Sequence, residues 1–212
     1  MTEHKSRGRP RKFNREKALE QIKDLFWENG FSATSLDDIA KATGINRPSL
    51  YAAFGNKEDM YIASLELFAK SMSTMAEQSL EEAPDLRTGL INIFNGAISI
   101  YTAGLAAAEA KADAKLGCFV ACTAPAETLH SEAIGTALQK IISELDAKFA
   151  VLLQEGNRTA PTIPEEQRPL VGHLLGILLN GISLRARAGA NASELKQIAV
   201  HGIDCLLTPQ HP

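Results

Sequence analysis

Apolar residues recur along this chain at intervals of three and four, the spacing of one helix face, in segment after segment. Ala18, Leu19, Ile22, Leu25 and Phe26 form the first stripe, after Asn14 as an N-cap and before Gly30 as a stop. A short helix is predicted from Leu36 to about Thr43, with Ser35 as its cap. Asp38 stands three residues on, a capping box with Asp in place of Glu. Gly44 turns the chain, and Asn46 caps a third short helix with Pro48 in its first turn, where a missing N–H costs nothing. Gly55 ends it. Asn56 then caps a longer helix with Glu58 and Asp59 in its first turn, carrying Met60, Leu65, Phe68, Met72 and Met75 along one side.

Beyond a joint near Ala83 and Pro84 the predicted helices lengthen. One covers 86 to about 114, with a possible break near Gly104, and another 128 to about 155. A Pro- and Thr-rich loop, 159–164, precedes a final pair at roughly 165–188 and 193–207. No run of alternating strand character interrupts them, so the fold class is all-α.

Composition changes this picture little. Of the 212 residues, 45% are hydrophobic and 22% charged, as in an ordinary globular protein able to bury a core. The longest apolar stretch, 174–184, is interrupted by Asn180 and reads as too short to span a bilayer, so no membrane partner is expected. No apolar run follows the basic N-terminus as a signal peptide would require, and three cysteines do not suggest a disulfide framework. A cytoplasmic location is the expectation.

Charge is more informative. The net −3 hides a gradient: residues 1–17 hold seven Lys/Arg against two Asp/Glu, and residues 61–212 hold 11 against 16. A basic tip on an acidic chain suggests that one end meets a polyanion.

Residues 35–54 give that end a mechanism. Two short helices around a glycine turn suit a helix-turn-helix, whose second helix must be exposed enough to enter the DNA major groove. Leu36, Ile39, Ala40, Leu50 and Phe54 would hold the pair on the first helix, leaving Arg47, Ser49 and Ala52 outward. Arg47 matches a guanine edge, Ser49 a base or phosphate, and Ala52 a thymine methyl. Thr34, Tyr51 and Lys57 would grip phosphates, Lys57 at the start of the fourth helix.

The ordered set Thr34, Gly44, Leu50, Tyr51, Phe54, Lys57 and Glu58 resembles the DNA-binding domain of TetR-family regulators, over about residues 14–60. The resemblance implies DNA contacts at Thr34, Arg47, Pro48, Ser49, Tyr51, Ala52 and Lys57. The pair Ala52-Ala53 departs from the family, where larger polar or aromatic residues are common, and this leaves more of the readout to Arg47 and DNA shape. In the arm, Arg7-Gly8-Arg9-Pro10 resembles an AT-hook core, although Ser6 replaces the usual preceding proline. Arg7 and Arg9 would then reach a narrow minor groove, the alternative being a basic tail with general phosphate affinity.

The implied architecture is an N-terminal three-helix helix-turn-helix domain (14–60) behind a basic arm (1–13). A connecting helix (61–83) joins it to an α-helical ligand-binding and dimerisation domain (84–212). The resemblance implies a homodimer paired through the last two helices, here by Leu174, Ile177, Leu178, Ile198 and Ile203. It also implies a pocket for a small apolar or aromatic effector, with Phe94, Ile98, Tyr101, Cys118, Phe119, Leu145 and Phe149 as candidates, although any one such residue on a helical stripe is more often core than ligand contact. The expected partners are a palindromic double-stranded operator, a second copy and the effector. The expected mechanism is a repressor released when ligand rotates the fourth helix.

Cys118 and Cys122, if helical, would share a face and form a thiol sensor, the alternative being two small buried hydrophobes. The five histidines have no metal-ligand spacing; His173 and His201 could face each other in a dimer bundle, the favoured alternative being solvated or packed imidazoles. No nucleophile elbow, phosphate loop or dinucleotide fingerprint points to an enzyme, and no metal or other cofactor is called for. A DNA-coating architectural protein without an effector is the rival reading.

Overall fold

The computed structural model describes residues 13–108, 117–156 and 163–208. Arg7 and Arg9 lie outside the described residues, as do residues 109–114 of the helix expected to reach 114. Among the described residues every regular element is helical: α1 (Arg15–Ala33), α2 (Leu36–Thr43), α3 (Arg47–Phe54), α4 (Lys57–Glu81), α5 (Leu86–Ala108), α6 (Phe119–Glu127), α7 (Glu132–Gly156), a 3-10 turn (Glu165–Gln167), α8 (Arg168–Arg187) and α9 (Ala192–Leu207).

The small domain is assembled from strong local signals. Asn14, Asn46 and Asn56 each accept a hydrogen bond from the backbone N–H three residues on, and Ser35 and Asp38 form a reciprocal capping box. Asn56 and Asp59 form a second. Such side chains satisfy N–H groups that a helix start leaves unpaired, at about 1 kcal/mol each. Gly30 adopts φ +78, so it breaks α1 as expected; a further helical turn to Ala33 follows the break. Ile22, Phe26, Ile39, Leu50 and Met60 are fully buried between α1, α2, α3 and α4. Burial of such side chains stabilises by roughly 1.5–3 kcal/mol each.

The larger domain packs α5 against α4, α8 and α9, and α7 along α8. Gly172 makes the last contact close: a Cβ there would lie 2.9 Å from the Asp146 carbonyl oxygen and 3.0 Å from the Ala150 nitrogen of α7. Arg87 of α5 donates to both carboxylate oxygens of Asp204 of α9, at 2.6 and 2.9 Å.

Two expectations are corrected. The helix foreseen from 128 begins at Glu132 as α7, and a separate short helix, α6 (Phe119–Glu127), precedes it unforeseen. Thr128 and His130 close a turn on the Pro125 and Glu127 carbonyls, and Ser131 caps α7 by accepting from the Ile134 N–H. The apolar length of α8 was also underread. With its 3-10 turn it spans Glu165–Arg187, and 18 residues of it reach a mean hydropathy of 1.3, enough by length and composition to cross a membrane. Here 44% of that window is buried, in a bundle with α5, α7 and α9.

Candidate DNA interface and cavity

The Asn46 cap and Pro48 start α3 at Arg47, so the helix presents its first turn outward. Arg47, Pro48, Tyr51 and Ala52 are exposed on it, and Ser49 is half-buried. Leu50 and Phe54 hold the opposite face in the core. The Arg47 guanidinium is taken up by Asp37 of α2: Nε donates to Oδ1 at 2.8 Å and Nη2 pairs with Oδ2. Behind the helix, Arg15 stacks 4.9 Å over the Phe54 ring and donates to the Ala53 carbonyl. Lys57, first residue of α4, lies 4.3 Å over the Phe31 ring, half-buried.

Thr34 is placed differently from the phosphate contact the resemblance implied. It is 1% exposed, and its hydroxyl donates to the Gly30 carbonyl at 2.7 Å. Its side chain staples the end of α1 rather than facing outward.

A cavity of about 860 Å³ opens in the larger domain between α4, α5, α6, α7 and α8. Of the candidate residues, Tyr101, Cys118, Leu145 and Phe149 line it. Phe94, Ile98 and Phe119 do not; they are fully buried in the surrounding core. Phe119 instead joins an aromatic cluster between the domains, 5.7 Å from Tyr61, 6.0 Å from Phe68 and 6.2 Å from Trp27. The sequence reading missed Met72, Met75, Ala76 and Ile141 as lining residues; they share the apolar stripes of α4 and α7, which look alike whether a stripe faces core or void.

Helix α6, which the periodicity did not reveal, has two working sides. Cys118, Val120, Ala121 and Pro125 on or beside it face the cavity. On the other side Thr123 hydrogen-bonds Tyr61 of α4 at 2.6 Å. At its end Glu127 accepts from Ser32 of α1, and in the following turn Ser131 donates to Glu58 of α4.

Cys118 caps α6 rather than lying within it, so it does not share a helical face with Cys122. Its N–H donates to Ser183 at 2.8 Å, and burial pushes its thiol up to about 11. A thiol held so far above neutrality is a poor nucleophile. Cys122 is half-buried, with its Sγ 3.4 Å from the Ser183 hydroxyl.

On α8, Leu170, Leu174, Ile177 and Leu184 form an exposed apolar stripe; Ile177 is 65% exposed and Leu184 67%. Leu178 and Ile198 are half-buried. Ile203 is corrected: it is wholly buried in the core of its own chain and has no surface left for a partner. His173 and His201 are both exposed, His173 lying 3.8 Å from Asp146.

The model of the bacterial regulatory proteins of the tetR family matches residues 18–64, which contain every exposed residue of α3 just described. Over 196 residues the chain is 30% identical to the HTH-type transcriptional repressor ComR of Escherichia coli K12, covering 92% of this chain and 90% of that one. It also resembles the solved structure of the TetR family transcriptional regulator CifR with 26-base-pair operator DNA, at 26% identity and a TM-score of 0.79, covering 92% of this chain and 98% of that one. A TetR-family regulator from Cytophaga hutchinsonii shares the fold at 19% identity, a TM-score of 0.72 and coverage of 91% and 92%. The chain therefore belongs to the TetR family of DNA-binding transcriptional regulators.

Proposed function

We propose that the protein is a homodimeric repressor that holds a two-fold operator with its paired α3 helices and releases it when a small apolar or aromatic molecule fills the cavity. The observation that carries this reading is the double role of α6, which walls the cavity and is hydrogen-bonded to both α1 and α4 of the DNA-binding domain. A ligand that displaces α6, or the length of α4 that lines the same cavity, would tilt that domain and change the spacing of the two recognition helices.

The cavity volume lies in the range that drug-sized ligands occupy, and its inner wall is mainly aliphatic and aromatic. The exposed α8 stripe is the face on which a second copy would pack, through Leu174 and Ile177 with Leu178 and Ile198 at its edge. Arg47 would read a guanine, Ser49 and Ala52 neighbouring base edges, and Pro48 the backbone beside them. Tyr51 and Lys57 would bind phosphates, and Arg7 and Arg9 of the arm an adjacent minor groove. ComR is named a repressor and CifR was solved on its operator, which favours repression from a defined site here too.

Selection from a random DNA library, repeated with candidate apolar effectors, tests the reading. The expected product is a two-fold palindrome whose recovery a ligand abolishes. Equal recovery of all sequences would sink it in favour of an architectural role.

A further inference from the structure

We propose that Asp37 is a positioning residue for base readout: its carboxylate fixes the Arg47 guanidinium so that the opposite edge of that group is presented to guanine. The inference rests on the reading that α3 enters the major groove with Arg47 as its base reader.

The geometry divides the five N–H donors of the guanidinium into two sets. Asp37 takes the Nε–H through Oδ1 at 2.8 Å and one Nη2–H through Oδ2. The remaining Nη1 and Nη2 donors form a second fork on the far edge, the arrangement that matches O6 and N7 of guanine. A long exposed side chain free to rotate would lose conformational freedom on docking; one already clamped in plane loses less.

Both ends of the pair are themselves held. Asp37 lies in the first turn of α2, whose start is fixed by the Ser35–Asp38 box, and Arg47 is the first residue of α3, fixed by Asn46. Asp38 spends its carboxylate on Ser35, whereas that of Asp37 reaches across the turn to the other helix. An acidic group beside the DNA-facing helix repels phosphates, and the clamp gives it a use there.

The test uses the full-length protein and the operator duplex recovered by library selection with the unaltered protein. Duplexes with each other base at every position of the half-site complete the set. Arg47→Ala is expected to abolish discrimination at one guanine per half-site. Asp37→Asn is expected to keep operator binding while lowering discrimination at that same position about tenfold. The double variant should discriminate no worse there than Arg47→Ala alone.

Asp37→Asn with undiminished discrimination would overturn the proposal and leave Arg47 as reader intact. Equally overturning would be tighter binding to all duplexes with discrimination unchanged, the mark of a surface charge alone. If Arg47→Ala alters no base preference, the base-reading role fails and the proposal falls with it. Asp37 is exposed and outside both core and capping box, so these substitutions leave folding intact.

Discussion

The Tyr61 hydroxyl lies 2.6 Å from that of Thr123 in a buried contact that joins α4 to α6. Thr123 donates its single proton to the Phe119 carbonyl 2.7 Å away, so Tyr61 is the donor of the pair. Burial raises the Tyr61 pKa, which keeps that proton in place at neutral pH. Tyr61→Phe removes the bond without removing the ring that packs on Phe26 and Phe119. The expected loss is about 1 kcal/mol of stability, read from the denaturant midpoint. No loss would mean that the contact is replaced or unused.

Filling the cavity should remove ligand response while leaving the recognition helix alone. Ala76 lines the void from α4, and Ala76→Phe puts a ring into it. The apolar dye 1-anilinonaphthalene-8-sulfonate, titrated against both proteins, is expected to bind the unaltered one and to lose at least tenfold in affinity for the variant. Equal dye affinity would place the apolar site elsewhere.

Glycines on α8 should respond with opposite signs. Gly172→Ala forces a methyl against the α7 backbone, and is expected to destabilise by roughly 1–3 kcal/mol. Gly181 has nothing within 4 Å of an added Cβ, so Gly181→Ala is expected to stabilise the helix by up to about 1 kcal/mol. Thermal unfolding of the two variants checks both signs. A loss at Gly181 would indicate a close neighbour there, as a tightly packed partner helix would be.

Ile177 is 65% exposed at the centre of the α8 stripe. Ile177→Glu should therefore turn a dimer into a folded monomer with unchanged helical content and much weaker operator binding. Sedimentation at micromolar concentration decides it: a variant that remains dimeric would move the interface off this stripe.

Acid stability should depend on Asp204 and Asp38. Hydrogen bonds from Arg87 hold Asp204 below the usual carboxylate range, and the Ser35 hydroxyl does so first for Asp38. A depressed folded-state pKa adds stability above the unfolded value, and that stability is lost as pH falls through the folded one. The unfolding midpoint should thus fall more steeply below about pH 4 in the unaltered protein than in Asp204→Asn. Parallel pH profiles would show that the Arg87 pair contributes nothing to folding.

The small domain was legible because its signals are local. Asn14, Ser35, Asn46 and Asn56 each act within three residues of themselves, and each caps the helix it was read to cap. The stretch from 117 to 131 was not legible for the opposite reason. Its helix is short, contains Pro125 and has apolar residues on both sides, because one side meets the cavity and the other the DNA-binding domain. Periodicity cannot show such an element, nor could it separate Phe119, packed in an aromatic cluster, from Phe149, which borders a void. The Asp37–Arg47 pair was equally hidden, since ten residues and a turn separate its partners. Thr34 looked like an outward contact from its place before α2; only the fold shows its hydroxyl turned back to Gly30.

The Asn46 cap has a kinetic consequence. With its side chain bonded to the Ser49 N–H and Pro48 already restricting the backbone, the first turn of α3 exists before DNA arrives. Ordering a residue costs about 1–2 kcal/mol in backbone entropy, and here that cost is met during folding rather than at encounter. Association should then be limited by diffusion and steering, so a weaker helix start at Asn46 would slow capture of the operator before it altered which operator is chosen.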